Sequence, residues 1–291
     1  MLSNRRLLLV TAITPILWGT TYLTTTSFLP VDRPLLAATL RALPAGLLLL
    51  VLSRRLPRGA WWWKAWVLGV LNIAGFFALL FIAAYRLPGG VAAVVGGLQP
   101  LVVALLASRL LHEKLTTRTV LAGIGGVFGV CLIVLSADAR LDLVGLLAAG
   151  GGALSMALGI VLTKKWGQPA PPLTTTAWQL VAGGLTLAIA LVLFEGMPAE
   201  PLTFGNLAGY AYLSLIGTAL AYLLWFRGIA RLPTTTTAFL GLLSPLVALL
   251  LGLIANGEAL AITQLAGVVV VLASVTVVSL WRAGPAHLSM R

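Results

Sequence analysis

The sequence predicts an all-α membrane protein, with ten transmembrane helices in two inverted repeats of five. Three observations lead there. Of 291 residues, 60% are hydrophobic and only 9% are charged, and the mean hydropathy is +1.05. A soluble domain carries about 25% charged residues, so too little polar surface remains here to face water. Ten apolar stretches each run for roughly 18 to 23 residues, which at 1.5 Å per residue crosses about 30 Å of hydrocarbon. The second half of the chain also echoes the first at a nearly fixed offset, the mark of an internal duplication.

The stretches fall at 7–28, 34–53, 62–84, 90–110, 119–136, 143–164, 174–194, 207–228, 234–254 and 263–281. The first follows Arg5 and Arg6 as a signal peptide would, but it continues through Trp18 and Tyr22 into Thr24-Thr25-Thr26 without a small-residue cleavage site, and reads as a retained helix. The second carries Arg41 about seven residues inside its start. Trp61, Trp62, Trp63 and Trp66 open the third beside a basic loop and read, like Trp166 and Trp281, as an interfacial aromatic belt. The fourth and ninth carry Pro100 and Pro245 near their middles. The fifth holds the single cysteine, Cys131, and Gly125-x-x-x-Gly129, a close-packing signal for membrane helices rather than a dinucleotide fingerprint. The short connections leave no room for a soluble domain.

Residue n resembles residue n+145 through the middle of each half. Arg86-Leu87-Pro88 matches Arg231-Leu232-Pro233, Pro100-Leu101-Val102 matches Pro245-Leu246-Val247, and Glu113 matches Glu258. A weaker match at n+138 pairs Arg41 with Gln179 and Gly46 with Gly184. The halves are taken as 1–136 and 137–291, together one membrane domain. Five spans is an odd number, so the second half enters from the opposite side. Inverted halves give a transporter two near-equivalent arrangements around a site at the midplane.

The net charge of +12 raises a nucleic-acid partner, but its distribution needs none. With the N-terminus cytoplasmic, fifteen Lys and Arg fall on inner segments and three, Arg33, Arg86 and Arg140, on outer ones. That asymmetry puts both termini in the cytoplasm of a multi-pass inner-membrane protein. His112 and His287 are the only histidines, which leaves no metal cluster and no membrane-embedded Ser-His triad, so neither a cofactor nor an enzyme is expected. The expected partners are a small-molecule substrate and the lipid bilayer; a monomer is possible and a dimer remains open.

Trp18-Gly19-Thr20, Arg41, the Leu-x-Pro-Leu-Val runs at 98–102 and 243–247, and Glu113 with Glu258 together resemble the EamA type of the drug/metabolite transporter superfamily across nearly the whole chain. Within it, the overall likeness is to exporters of aromatic amino acids. The resemblance implies a ten-helix basket whose first, third, fourth, sixth, eighth and ninth helices line a central cavity, with the fifth and tenth outside, and export by alternating access.

On those helices the mid-depth candidates for substrate contact are Trp18, Thr21, Tyr22, Asn72, Phe76, Phe77, Gln99, Ser155, Tyr222 and Ser244. Aromatic walls with a few amides suit a flat apolar side chain, although each aromatic also reads as packing or lipid contact. Pro100 and Pro245 should kink their helices and free a carbonyl, as hinges or as plain packing kinks. Arg41 reads either as a structural or gating pair or as a side chain snorkelling to the outer headgroups, with a substrate carboxylate as a further option. None of the seven acidic residues lies mid-span, so no proton relay is evident and a facilitator is favoured. Glu113 and Glu258 are the remaining coupling or gating candidates, or else helix-end charges held by Thr116, Thr117 or Thr263. Transporters of other metabolites, such as nucleotide sugars or drug-like cations, and a non-transporting membrane scaffold are the alternative readings.

Overall fold

The computed structural model describes residues 4–87, 89–134, 142–198, 200–256 and 261–281, and among them every regular element is helical. Nine helical rods are long and apolar enough to cross a bilayer, and a tenth apolar helix, over 117–133, is shorter. The ten stretches expected from hydropathy each coincide with one of these rods.

Several rods are not single α-helices. The first is Asn4–Gly19 followed by Thr21–Phe28, and the second is Pro34–Ser53. The third runs as Trp61–Gly69, a π-helical Val70–Gly75 and Phe76–Arg86. The fourth breaks between Gly89–Gly97 and Gln99–Leu110, and the fifth is Thr117–Val134. The sixth is Leu143–Trp166, and the seventh is Pro172–Ala190 ending in a π-helical Leu191–Glu195. The eighth mirrors the third: Phe204–Ser214, a π-helical Leu215–Leu220 and Ala221–Arg231. The ninth, Thr234–Leu240 and Leu243–Asn256, breaks as the fourth does, and the tenth is Ile262–Trp281.

Both breaks come directly before the mid-span prolines. Pro100 and Pro245 cannot donate backbone hydrogen bonds, and their rings disfavour α geometry in the preceding residue. The chain therefore interrupts the ladder at Leu98 and at Gly241-Leu242.

Packing is pairwise. The second rod lies along the seventh, the fifth along the tenth, and the third along the sixth as the first lies along the eighth. Fifth and tenth approach closely: a methyl on Gly129 would sit 3.0 Å from the Gly267 carbonyl and 2.8 Å from Val271 Cγ2. Small residues let membrane helices meet backbone to backbone, the role expected of the Gly125-x-x-x-Gly129 pair. One apolar cluster runs through the bundle, from Ala38 and Ala42 through Phe77, Met156, Leu180 and Tyr222 to Phe239 and Val271. Leucines and phenylalanines on the outer faces stay exposed, as lipid contact requires.

Candidate functional site

Two π-helical segments build the site. A π turn holds one residue more than an α turn, so some carbonyls lose their usual donor and need another. Val70–Gly75 and Leu215–Leu220 lie 145 residues apart, the offset of the sequence repeat. Side chains from other rods supply the donors. On the third rod, Ser155 Oγ donates to the Leu71 carbonyl at 2.8 Å and the Tyr222 hydroxyl to the Asn72 carbonyl at 3.4 Å. On the eighth, the Gly217 carbonyl accepts from Trp18 Nε1 and from Arg41 Nη2, each at 3.1 Å.

Arg41 does not snorkel. It is 2% exposed, its Nε donates to Thr218 Oγ1 at 2.9 Å, and its guanidinium carbon lies 4.6 Å from the centre of the Phe77 ring. The π carbonyl, the threonine and the ring together offer partners at depth, which the headgroups would otherwise have to supply. Gln179, matched to Arg41 at the n+138 offset, does the corresponding thing: it reaches the other π segment and accepts from Asn72 Nδ2 at 2.9 Å. Asn72 Nδ2 also donates to Thr163 Oγ1 at 3.2 Å, and a side chain at Gly159 would collide with the Asn72 amide.

Around Arg41 stands an aromatic cluster. The Trp18 ring lies 5.2 Å from Tyr222 and 5.0 Å from Trp225; Tyr222 lies 5.9 Å from Phe77 and 5.5 Å from Phe226. Asn72, Phe77 and Tyr222 were expected to line a cavity, yet each is fully buried, because the rods close on one another here. Phe76 and Gln99 do line a cleft, with Leu80, Gly96 and Gly152, between the third, fourth and sixth rods. It holds about 40 Å³, room for no more than a few waters. Thr21 Oγ1 is buried without a hydrogen-bond partner, and Ser244 is half-buried in the ninth rod. The Tyr22 side chain and Glu258 lie outside the described residues.

Each end of the bundle is tied by a carboxylate at a helix N-terminus. At the basic end, Glu113 reaches across the bundle. Its carboxylate crosses to the start of the ninth rod, accepting from the Thr234 N–H and from Thr235 Oγ1, both at 3.1 Å. A carboxylate suits that place because a helix N-terminus presents unpaired N–H groups and partial positive charge. At the other end, Glu195 caps the second rod in the same way, accepting from the Leu35 and Leu36 N–H groups at 2.6 and 3.1 Å and pairing with Arg33 Nε at 2.9 Å. Sequence reasoning missed Glu195, Thr218 and Trp225. Gln179 was signalled only by its match to Arg41. No group of three or more His, Cys, Asp and Glu side chains able to hold a metal occurs among the described residues.

Broken, kinked apolar helices whose freed backbone groups are met inside the bundle define a multi-pass membrane protein. Comparison with known proteins gives the family: the chain belongs to the EamA-like transporter family, whose model matches residues 5–135 and again 143–280. Protein PecM of Dickeya dadantii is 48% identical over 266 residues, covering 91% of this chain and 89% of PecM. The inner membrane transporter YedA of Escherichia coli K12 and the transporter YvbV of Bacillus subtilis are each 28% identical, over 91% and 96% of this chain and 88% and 93% of their own. A crystal structure at 22% identity superposes with a TM-score of 0.81 over 97% of this chain and all of its own, a likeness of fold alone.

Proposed function

We propose that this protein is an alternating-access transporter of the inner membrane, with both termini cytoplasmic, that exports small metabolites, aromatic or other hydrophobic amino acids first among them. Its halves, 1–136 and 137–291, act as inverted repeats. The carrying observation is the pairing of features at the two offsets of the sequence repeat, 145 residues for the π segments and prolines and 138 for Arg41 and Gln179. Two π segments, two proline breaks and two cross-bundle polar contacts, from Arg41 and Gln179, fall at corresponding places and meet at the centre of the bundle. Such pairing supplies two near-equivalent packings of one set of helices, the condition for exposing a site to each side in turn. The aromatic cluster of Trp18, Phe77 and Tyr222 favours a flat apolar side chain. Gln99, in the cleft beside it, is a neutral polar group placed to select among such side chains.

The test is uptake of labelled phenylalanine and tryptophan into proteoliposomes, with and without a pH gradient. Saturable uptake that Gln99→Ala reduces several-fold, and that the gradient leaves unchanged, is expected. Empty-vesicle rates from folded protein would sink the amino-acid substrate.

A further inference from the structure

Several buried polar groups within the bundle remain without partners among the described residues, an N–H donor included. Arg41 carries a full positive charge within the membrane, and no carboxylate lies within 4 Å of it among the described residues. Its Nε and Nη2 are occupied by Thr218 and Gly217, which leaves Nη1 without a hydrogen bond among the described residues. In the same cluster the indole N–H of Trp225, a residue only 1% exposed, has no acceptor. On the first rod the Thr21 hydroxyl is buried and unpartnered as well. The one unpartnered acceptor nearby, Asn72 Oδ1, faces Gly159 on the sixth rod and is walled off there.

A buried charge without a counter-charge is costly, and intramembrane cations are retained where something pairs with them in use. A guanidinium with a free N–H matches an anion, since a carboxylate takes up several N–H donors at once. The unpartnered Trp225 N–H belongs to the aromatic cluster that includes Trp18. The Phe77 ring stands against the guanidinium, and the Tyr222 and Trp18 rings pack on from it, offering apolar faces to the remainder of such a molecule. For a substrate ammonium there is no comparable anchor, because none of the seven acidic residues lies mid-span.

We infer that Arg41 is the anchor for a substrate carboxylate and that the protein carries aromatic monocarboxylates without an amino group at least as well as the matching amino acids. The inference rests on the transport reading but not on an amino-acid substrate. An anion entering as the rods separate exchanges hydration for Arg41 Nη1 and the Trp225 N–H, and its ring takes the place of water against Trp18 and Tyr222.

Calorimetric titration of the purified full chain in detergent tests it with three probes sharing one phenyl group: phenylpyruvate, phenylalanine and phenethylamine. Phenylpyruvate should bind saturably and no more weakly than phenylalanine, while phenethylamine gives no saturable heat. Arg41→Gln should lower phenylpyruvate affinity at least tenfold, with Arg41→Lys restoring part of it. Should Arg41→Gln not fold, Trp225→Phe keeps the ring, removes the N–H, and is expected to weaken phenylpyruvate binding several-fold. Phenylalanine binding that exceeds phenylpyruvate binding, or that leaves Arg41 and Trp225 indifferent, overturns the inference and keeps the amino-acid reading. Saturable phenethylamine binding reverses the sign of the site. Failure of folded wild-type protein to bind any of the three removes the aromatic substrate, and the inference with it.

Discussion

At the scale of single residues, depth and partners decide what a polar group does. Arg41 was legible in the sequence as an anomaly, a charge seven residues inside an apolar stretch, but not as an inward-facing one. Its direction depends on Thr218 and the Gly217 carbonyl, which lie on a helix some 176 residues away and free a bonding site only because that helix is π there. Asn72 shows the same limit: its amide reads as a substrate contact, yet it bridges Gln179 and Thr163. Gly159 makes room for it, so Gly159→Ala should force the Asn72 side chain out of register. The expected cost is about 1–3 kcal/mol, as for other overpacked cores, read as a lowered unfolding midpoint in detergent. Asn72→Ala in the same background should recover most of the loss, since the collision then disappears.

At the scale of elements, hydropathy located all ten helices, and the prolines located both helix breaks. The π segments were invisible. Hydropathy windows average over many residues, and one extra residue in a turn leaves length and apolarity unchanged. What it changes is direction: each residue added or removed turns everything beyond it by about 100° about the helix axis. Deleting Ala74 from the third rod should therefore convert Val70–Gly75 to an ordinary turn and swing Phe76 and Phe77 away from Arg41 and the cleft. The variant should still reach the membrane, but lose saturable transport of aromatic substrates in proteoliposomes. A different element shows what backbone proximity contributes. Gly129→Val places a branched side chain where the Gly267 carbonyl and Val271 already stand, and should separate the fifth rod from the tenth. Since that pair lies away from the aromatic cluster, its loss should appear as lower thermal stability with substrate selectivity retained.

At the scale of the whole molecule, the basic end is closed where Gln99–Leu110 of the fourth rod and Thr234–Leu240 of the ninth meet, and Glu113 ties one to the other. Glu113→Ala should loosen that closure. In a Cys131→Ser background, a thiol introduced by Ala238→Cys, buried in the basic-end half of the ninth rod, should then react with a water-soluble maleimide several-fold faster. An unchanged rate would make the carboxylate a helix cap and nothing more. Energy supply also belongs to this scale. With no acid at mid-membrane, an exported monoanion would draw on voltage, worth about 2.3 kcal/mol per 100 mV. Efflux of phenylpyruvate should accordingly follow an imposed potential and ignore an imposed pH gradient. The paired π segments bear on the molecule's past as well. A π turn is what a helix becomes when it gains a residue without changing its ends. Two unrelated gains at the same point of two halves would be a coincidence, whereas one gain copied along with its helix gives both at once. On the proposed duplication, the bulge is older than the joining of the two halves.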